Sequence, residues 1–445
     1  MLIENALANY YAEIQKALDT LIGDVGPDDS GEFTPGARLP ELTPLMRSYL
    51  DASAMALTSL PGYRGRELSL LDLTQNPATN TTKTFASLII VARAIRFIQD
   101  TGERVTILTP SSANKAVALR DSVLRAIKFG LVRADQLNIV VLVPAGARYK
   151  LRATELFTDP ALRARNPVAL YDGSAPHFVK TIARGVVDEH RGMLEASAKT
   201  NLWYTMQLEN YLVADVVRAF VEADFLTEKG SGPRLHAHSV SSAYGLLGHA
   251  YGRELLGDSA GRPSRYLLVQ HLGTPDMVTS LLGNGDYRPP TYTFESGSGL
   301  YTQNGDDHFP ARTFDPAEVL DPTFYTRNPV TSPRMNALIQ THGGSGIVVS
   351  LAECLERYGL VRSLLADAGV HIPANPTLVQ EWSLIMAMTG VLNAVDRSLV
   401  ADDPIVVHGA GLYSRGDFEA LVARELHTVG DSYGLRELVL QASVQ

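Results

Sequence analysis

The sequence is poor in several features, and each scarcity excludes a class of protein. Its 445 residues include one cysteine, Cys354, so an internal disulfide is impossible and the fold needs no oxidising compartment. The formal net charge is −9 and no basic block is present, which argues against nucleic acid or an anionic membrane as the main partner. No apolar run is long enough to span a bilayer, and the first residues lack the pattern of a signal peptide. We therefore expect a cytoplasmic protein.

Length and composition indicate an ordinary globular chain with more than one core. Hydrophobic residues make up 45% of the sequence and charged residues 20%, and 445 residues are too many for one core. The predicted organisation is an N-terminal helix and linker (1–40), a large domain (41–98 and 188–445) and a small α/β domain (99–187).

Hydrophobic periodicity predicts an α/β fold. Segments typical of helices alternate with short β-rich runs between residues 84 and 186, which favours a parallel sheet with crossover helices, and a second α/β region begins near residue 205. An apolar stripe predicts a helix over 2–22, followed by an exposed linker over 23–36. Residues 283–323 are rich in Gly, Asn, Asp, Pro and aromatic residues, which predicts an irregular insertion that covers a site or selects its ligand.

The stretch NPATNTTKTF (76–85) places Lys83 at the start of a predicted helix, behind small residues that can cap it. The positive end of the helix dipole disfavours a permanent ammonium there and favours a neutral amine or an imine. An exposed lysine at a helix start is the alternative interpretation of this lysine taken alone.

Two further junctions combine a strand end, a small-residue loop and a helix start. In TPSSANKAVALR (109–120) the helix begins at or near Asn114, and in SVSSAYGLLGHAYG (239–252) the loop is rich in serine and glycine. Such junctions direct backbone N–H groups at an anion or a ring oxygen, although a well-capped helix explains the first equally well. The second matches neither the P-loop nor the dinucleotide fingerprint, so a nucleotide is not favoured.

Taken in order, these three segments resemble the threonine synthase branch of the fold type II pyridoxal-phosphate enzymes, the tryptophan synthase β superfamily. NPATNTTKTF looks like that family's lysine-bearing NPTGSFKDR, and SSANK is similar to its SSGNT. Further similar segments are YLLVQHLGTPD, TRNPVTSPRMNALIQTHGGSGIVVS, QEWSLIMAMTGVLNAV and VVHGAGLY. Each match is weak, but they follow the family's order over roughly residues 65–415.

The resemblance implies a two-domain α/β fold that holds pyridoxal 5′-phosphate in a cleft between the domains. It implies that Lys83 binds the cofactor covalently as a Schiff base and that Asn114 hydrogen-bonds its ring oxygen. The residues expected at the phosphate are Ser239, Ser241, Ser242, Ala243 and Gly245. His408 stands where the family has the hydroxyl residue that contacts the pyridine nitrogen, and the candidates for the substrate carboxylate are Ser111, Ser112 and Lys115.

Three departures indicate a diverged member of that family. Thr84 and Phe85 replace the charged residues that often follow the family lysine, Tyr244 lies inside the phosphate loop, and a histidine stands at position 408. His408 could donate or accept a hydrogen bond, or could be a plain strand-end histidine.

The implied function is β- or γ-elimination or replacement on an L-amino acid with an activated leaving group, with Lys83 as the base that takes the α-proton. An amino-acid deaminase, a cysteine-synthase-like β-replacement enzyme and a catalytically inactive relative that binds a ligand are the alternatives. The family suggests a homodimer, and the expected partner is a small amino-acid substrate.

The remaining candidates have plainer interpretations. His236, His238 and His249 flank the phosphate loop, but no carboxylate or cysteine cluster accompanies them in the sequence, so no metal is predicted. Cys354 is expected to be buried on a helix and His342 to shape a turn. Arg327, like Lys115, is a candidate for binding a phosphorylated substrate.

Overall fold

The computed structural model describes residues 1–23, 31–226, 232–283, 286–324 and 326–444. Its strands are β1 (Leu2–Ile3), β2 (Met55–Tyr63), β3 (Arg66–Asp72), β4 (Arg104–Pro110), β5 (Leu137–Pro144), β6 (Val168–Tyr171), β7 (Thr200–Tyr204), β8 (Arg234–Ser239), β9 (Ser264–His271), β10 (Thr293–Glu295), β11 (Leu300–Thr302), β12 (Arg312–Thr313), β13 (Gly344–Val349), β14 (Val379–Glu381), β15 (Ile405–Gly409), β16 (Tyr413–Ser414) and β17 (His427–Thr428).

The helices alternate with these strands over most of the chain. They are α1 (Ala6–Asn9), α2 (Tyr11–Leu21), α3 (Pro44–Leu50), α4 (Lys83–Thr101), α5 (Asn114–Lys128), α6 (Glu155–Thr158), α7 (Pro160–Arg165), α8 (Phe178–Ala198), α9 (Glu209–Asp215), α10 (Val217–Phe225), α11 (Tyr244–Leu256), α12 (Asp276–Gly283), α13 (Ser332–His342), α14 (Leu351–Ala366), α15 (Ser383–Asp396) and α16 (Ser432–Val444). In the described part of the chain, no helix combines the length and the apolar character needed to cross a membrane.

The chain forms two compact units, each built from separate segments. The first unit contains residues 1–3, 55–75 and 218–417, and the second contains residues 4–54, 76–217 and 418–445. These boundaries differ from the predicted ones, because α3 and α4 pack on α5 of the smaller predicted domain, α9 packs on α4, and α16 packs on α8 and β5. Residues 24–30 of the predicted linker lie outside the described residues.

The first unit contains a seven-stranded sheet in the order β1-β2-β3-β15-β8-β9-β13. The strands from β3 to β13 pair in parallel, whereas β1 and β2 add an antiparallel edge that the sequence pattern did not predict. Helix α15 lies against one face of this sheet, and its buried apolar side chains form a core with those of the central strands. Parallel pairing places the C-terminal ends of β8 and β15 at the same edge of the sheet.

Strand β8 is buried along its whole length, but its two faces differ. Leu235 and Ala237 belong to the apolar core, while Arg234, His236 and His238 alternate with them and point to the other face. The sequence pattern correctly predicted a strand here. Buried parallel strands are usually apolar on both faces. The polar face of β8 departs from this pattern and needs a separate explanation.

The second unit contains a five-stranded, fully parallel sheet in the order β17-β6-β5-β4-β7. Helices α4 and α5 pack against each other, and α8 and α16 form a second helical pair. Strands β4, β5 and β6 and the helices between residues 84 and 186 confirm the alternating pattern. Strand β7 was not predicted.

Local predictions failed at three places. The segment 2–22 is a short strand followed by two helices, although its apolar stripe is largely buried. The predicted helix over 150–157 begins only at Glu155, after a 3-10 helix at Ala145–Lys150. The insertion 283–323, of which residues 284–285 lie outside the described part, contains the antiparallel sheet β10-β11-β12.

Candidate functional site

Lys83 is the first residue of α4, and the turn before it is held by a buried arginine. The Arg152 guanidinium donates to the carbonyl oxygens of Pro77 and Thr79 at 2.9 and 2.8 Å and to Asn80 Oδ1 at 3.1 Å. Asn80 has a left-handed backbone conformation with φ 48°, which asparagine tolerates better than most residues. The small residues before Lys83 therefore build a rigid turn, and Asn80 serves this turn through Arg152.

Threonine hydroxyls complete this turn. Thr79 Oγ1 and Thr84 Oγ1 are 2.5 Å apart, and Thr84 Oγ1 also donates to the carbonyl oxygen of Thr81 at 3.0 Å. Thr81 Oγ1 lies 3.4 Å from the backbone nitrogen of Lys83. Thr82, the N-cap residue of α4, makes no side-chain cap bond, so the predicted capping is limited to this long contact from Thr81.

Two lysines of the second unit share one aromatic ring. Lys83 Nζ lies 5.9 Å from the centre of the Tyr211 ring, and Lys115 Nζ lies 5.5 Å from it. Tyr211 stands on α9, and its hydroxyl donates to the carbonyl oxygen of Thr205 at 3.2 Å. Cations are attracted to an aromatic face, so Tyr211 stabilises both amines.

Lys115 is buried and unusually placed for a charged residue. Its Nζ donates to the carbonyl oxygen of Thr205 at 2.8 Å and contacts Met206 Sδ at 3.1 Å. Burial holds the pKa of Lys115 well below its usual range, and the charges of Lys83 and Lys180 lower it further. Lys115 can therefore lose its proton far more readily than a surface lysine.

The start of α5 is capped by one of the two predicted serines. Ser111 Oγ accepts from the backbone N–H groups of Ala113 and Ala116 at 3.1 and 2.9 Å, so it fixes the loop between β4 and α5. Ser112 is half-buried beside it, and Asn114, also half-buried, is the first residue of α5. Ala113 adopts φ 114°, which bends the chain sharply before the helix. Ser111, Asn114 and Lys115 thus come together at one strand end of the second unit, with Ser112 between them in the chain.

The loop between β8 and α11 is the corresponding junction in the first unit. Ser239 is buried, and its Oγ makes no hydrogen bond to any described residue. Ser241 and Ser242 are half-buried, and the Ser242 carbonyl oxygen accepts from Thr331 Oγ1 at 2.8 Å. Ala243 has a left-handed conformation and gives α11 no side-chain cap. An uncapped helix start and an unsatisfied buried hydroxyl suit an oxyanion.

Gly245, on the first turn of α11, packs against two large polar side chains. A Cβ at this position would lie 2.6 Å from His238 Cε1 and 3.1 Å from Arg218 Nη2. No real Cβ approaches another atom so closely, so position 245 requires glycine because of packing. The same measurement places the buried Arg218 guanidinium directly beneath the start of α11.

His408 is buried at the end of β15, and both of its ring nitrogens lie within hydrogen-bonding distance of protein groups. Arg218 Nη1 donates to His408 Nδ1 at 3.0 Å, and His408 Nε2 lies 3.0 Å from Nδ1 of His236. A contact with a cofactor ring would require His408 to give up one of these partners, and the predicted contact stays a prediction.

The hydrogen bonds continue from His236 to a buried carboxylate, Glu222 on α10. His236 Nε2 lies 3.2 Å from Ser264 Oγ and 3.5 Å from Glu222 Oε1, and His249 Nε2 donates to the other carboxylate oxygen. The Tyr266 hydroxyl lies 3.3 Å from Nδ1 of His249. These groups form one buried layer on the polar face of β8, which we call the histidine layer: Arg218, Glu222, Arg234, His236, His249, Tyr266 and His408.

Donor rules fix the proton positions in the histidine layer. A guanidinium can only donate, so His408 Nδ1 accepts and a neutral His408 carries its proton on Nε2. That proton points to Nδ1 of His236, whose own proton is then on Nε2, towards Glu222. Burial lowers the pKa of His249 to about 3. Burial, with the charge of Arg218, also holds the pKa of His408 well below its usual range.

The carboxylate at the centre of this layer is ionised. Burial alone would raise the pKa of Glu222, but the interactions with His236 and His249 hold it well below its usual range. Arg234 also pairs with this carboxylate, and Arg253 Nη1 lies 3.6 Å from it. Glu222 is thus the common acceptor for several donors.

Comparison with known protein families assigns this chain to one of them. A family model described as "Family of unknown function (DUF6002)" matches residues 2–443. The chain belongs to the DUF6002 family. No curated protein sequence matches it.

Three solved structures are similar in fold to this DUF6002 protein. Threonine synthase from Brucella melitensis, solved with the cofactor bound, has a TM-score of 0.56 and 13% identity, and the match covers 98% of this chain and 89% of that one. Yeast threonine synthase has a TM-score of 0.56 and 11% identity, and the match covers 98% of this chain and 90% of that one. A fungal L-serine ammonia-lyase from Rhizomucor miehei has a TM-score of 0.50 and 13% identity, and the match covers 81% of this chain and 94% of that one. The predicted α/β architecture of fold type II enzymes is confirmed.

The histidine layer also brings together three side chains of types that can ligate a metal. Glu222, His236 and His249 each offer an atom, and these atoms lie within 4.8 Å of one another. The sequence argument that no carboxylate accompanies the histidines was wrong, because Glu222 reaches them from α10. Arg234 and Arg253 already approach this carboxylate, and their charges disfavour a dication.

Sequence reasoning on this DUF6002 protein missed the residues that act from a distance: Arg152, Arg218, Glu222 and Tyr266. One signal was present, since RLHAHS alternates polar and apolar residues in a strand that is buried on both faces. That alternation indicates a polar partner on one side.

The other singled-out residues occupy plainer positions. Cys354 is buried on α14, as predicted, and burial raises the pKa of its thiol. His342 is the last residue of α13, before Gly343 with φ 92°. Arg327 Nη1 pairs with Asp276 at 3.1 Å, so its charge is already partly compensated.

Proposed function

We propose that this protein is a pyridoxal-phosphate-dependent enzyme that eliminates or replaces the β- or γ-substituent of an L-amino acid. The fold supports the general kind of enzyme, since the similar structures named above include threonine synthases and a serine ammonia-lyase. The observation that carries the proposal is Lys83: a half-buried amine at a helix start, directed by a turn that Arg152 and three threonines hold rigid.

The side chains present fit the cofactor. Lys83 Nζ would bond covalently to the aldehyde, and Asn114, at the start of α5, would hydrogen-bond the ring oxygen. The phosphate would lie at the start of α11, where Ser239 Oγ has no partner among the described residues and where Ser241, Ser242, Ala243 and Gly245 supply N–H and O–H donors. Pyridoxal phosphate, when bound, supplies an electron-withdrawing ring that stabilises the negative charge left at the α-carbon.

The amines near Tyr211 have distinct tasks in this proposal. Lys83, once released from its covalent bond, takes the α-proton of the substrate and returns a proton later in the reaction. Lys115, Ser112 and Ser111 bind the substrate carboxylate. Because Ser111 Oγ already accepts two backbone N–H groups, its own proton is the part that it can offer to a carboxylate.

The finer assignment is a threonine synthase-like reaction on an amino acid with an activated leaving group. The segments after β9, which resemble that branch, support this choice over a deaminase or a cysteine-synthase-like enzyme. The insertion 283–323, with its small sheet, is the segment that we expect to select the substrate. A homodimer stays a prediction.

The central test is the site of covalent attachment. Purified protein incubated with pyridoxal phosphate and reduced with borohydride should gain one phosphopyridoxyl group, formed with loss of water and addition of two hydrogens, on the peptide that contains Lys83. Lys83→Ala should lose this modification and the visible absorbance, whereas the matched control Lys128→Met, an exposed lysine paired with Glu155, should keep both. Modification at Lys115 instead, or none at all, would refute the assignment.

A substrate panel then separates the alternatives. The protein loaded with cofactor is mixed with O-acetyl, O-phospho and free hydroxy amino acids, and the products are identified by mass spectrometry. Release of the leaving group with a new hydroxy amino acid supports the threonine synthase-like reaction, whereas a keto product supports the amino-acid deaminase. Cofactor binding without turnover of any member of the panel would favour an inactive relative that binds a ligand.

A further inference from the structure

The hydrogen bonds of the histidine layer run in one order, from Arg218 to Glu222, and the proposed function does not explain this order. Arg218 donates to His408, His408 donates to His236, and His236 faces Glu222, so each hydrogen bond fixes the next one. Two imidazoles and Arg218 are thereby oriented, one after another, by a single carboxylate. Burying charged and polar groups costs free energy because they lose their hydration. We therefore expect such a network where the orientation of its members serves a function.

The end of this network that meets a candidate ligand site is Arg218. Its Nη1 is used by His408, while its Nη2 lies 3.1 Å from where a Cβ of residue 245 would be, on the first turn of α11. Arg218 is completely buried, so its charge acts through a poorly screening medium. The residue at the strand end before this helix, Ser239, is buried with an unsatisfied Oγ.

We propose that Arg218 strengthens the binding of a phosphate group at the start of α11, and that His408 is a positioning residue that holds Arg218 in place instead of contacting the cofactor ring. This inference rests on the proposed function, because it concerns the phosphate of the same cofactor. It assigns a different task to His408 from the one that the resemblance implied, and it explains why both ring nitrogens of His408 are bonded to protein.

The geometry links each part of this proposal. A guanidinium has a fixed planar fork, so a bond from Nη1 to His408 determines where Nη2 lies. His408 can accept from Arg218 only while its proton is on Nε2, and His236 accepts that proton because Glu222 accepts from His236. Loss of His408 should therefore displace Arg218 without removing its charge.

Ligands that lack the aldehyde isolate the phosphate contribution. Pyridoxine 5′-phosphate and pyridoxine cannot bond covalently to Lys83 and differ only in the phosphate. The ratio of their dissociation constants, measured by equilibrium dialysis on the full chain, reports the phosphate preference alone. A general loss of structure lowers both affinities and leaves this ratio unchanged.

We expect Arg218→Met to reduce the preference for the phosphorylated ligand by about tenfold or more, since a charge-assisted contact of this kind is lost. Arg218→Lys should retain part of the preference, because the charge remains and the fork is lost. His408→Leu should reduce it, and His408→Gln, whose amide can accept from Arg218 and donate to His236, should largely restore it.

The control is Arg362→Met, a half-buried arginine on α14 that donates to the carbonyl oxygen of Ile372 and makes no contact with the histidine layer among the described bonds. Its phosphate preference should equal that of the unmodified chain. If Arg218→Met does not fold, as judged by circular dichroism, Arg218→Lys and the two His408 variants carry the test.

The outcomes separate this inference from the proposed function. If the unmodified chain prefers pyridoxine 5′-phosphate and the Arg218 and His408 variants keep the same preference, the role of Arg218 is refuted and the cofactor assignment stands. If the unmodified chain binds neither ligand, the proposed function fails, and the inference fails with it.

Discussion

Lys115 is a buried cation whose described partners are a carbonyl oxygen, a thioether and an aromatic ring. Nothing in this set carries a full negative charge, and Lys83 and Lys180 add positive charge nearby. A buried charge without a counter-ion lowers the stability of a fold. A residue that destabilises the empty protein is typical of a site that gains its partner from a ligand.

We therefore expect Lys115→Met to raise the free energy of unfolding by about 1 kcal/mol at about pH 7. Burial lowers the pKa of Lys115 in the folded state below its ordinary 10.5, so the folded state releases this proton before the unfolded state does. The cost of the buried charge is complete below the folded pKa and disappears as the pH rises towards the ordinary value. Urea unfolding should thus show a gain for Lys115→Met that shrinks by about pH 10.

Lys128→Met provides the comparison, because Lys128 lies on the same helix, is exposed and pairs with Glu155. Its free energy of unfolding should change little. A Lys115→Met protein that is less stable than the unmodified chain at neutral pH would show that the ammonium stabilises the fold.

Helices α5 and α11 begin in opposite ways, although both follow the end of a parallel strand. The start of α5 is capped by a side chain, because Ser111 accepts from two backbone N–H groups. The start of α11 follows a left-handed alanine that provides no side-chain cap. The first arrangement stabilises the fold by itself, whereas the second, whose N-cap side chain provides no cap, suits an anionic ligand.

Ser111→Ala should lower the free energy of unfolding by about 1–2 kcal/mol, because the two N–H groups at the start of α5 lose their acceptor. Ser112→Ala is the matched control at the neighbouring position, and its effect should stay within about 0.5 kcal/mol. Thermal or urea unfolding measures both. Equal effects of the two substitutions would contradict the capping role of Ser111.

Gly245→Ala should lower the free energy of unfolding by about 1–3 kcal/mol, because the new Cβ would overlap His238 and crowd Arg218. Gly359→Ala, on the helix α14, is the comparison, since a Cβ there meets no atom within 4 Å. That substitution should raise stability by about 0.5–1 kcal/mol through helix propensity. If Gly245→Ala also raised stability in urea unfolding, the tight packing beneath α11 would be disproved.

Each unit has its own parallel sheet, and the chain enters each unit more than once. The first unit carries the histidine layer between its sheet and helices α10 and α11. Because burial lowers the pKa of His249 and of His408 and the Glu222 carboxylate is ionised, acidification works against the folded state. The stability of the protein should therefore depend on pH partly through this layer, and His271 on β9, whose pKa burial lowers to about 4, should add to the same dependence.

We expect the free energy of unfolding to fall as the pH is lowered from about 7 to about 4.5. The pKa of His249 is lowered from 6.5 to about 3, so only the unfolded state binds this proton in that interval. Stability from such a group is lost at about 1.4 kcal/mol per pH unit below the ordinary pKa. Glu222, whose pKa is also lowered, contributes stability above its ordinary pKa, and this is lost as the pH falls through its folded value.

Urea unfolding at several pH values checks this expectation. His249→Asn should be less stable throughout but should show a shallower decline with acid, because one proton-binding difference is removed. His371→Gln, at an exposed position, should keep the slope of the unmodified chain. An unchanged slope in His249→Asn would exclude His249 as a source of the dependence.

Local patterns predicted the elements on which the candidate site is built. Strands β4, β5, β8 and β9 follow from short apolar or alternating runs, and the helices that begin at Lys83 and Asn114 follow from small polar residues before apolar periodicity. The alternation of a strand and the capping of a helix both depend on residues within a few positions in the chain. The sequence is informative at this range because helix caps and strand faces are themselves local.

Tertiary structure decided what surrounds those elements. Arg152 reaches the turn before Lys83 from 75 positions away, and Arg218 meets His408 across 190 positions. No periodicity encodes such a meeting, because it depends on which strands pair and on which face each side chain takes. The sequence alone therefore determined where the lysine and the two loops lie in the chain, whereas only the folded protein determined that Ser111 caps a helix, that Glu222 joins the histidines and that His408 is bonded on both sides.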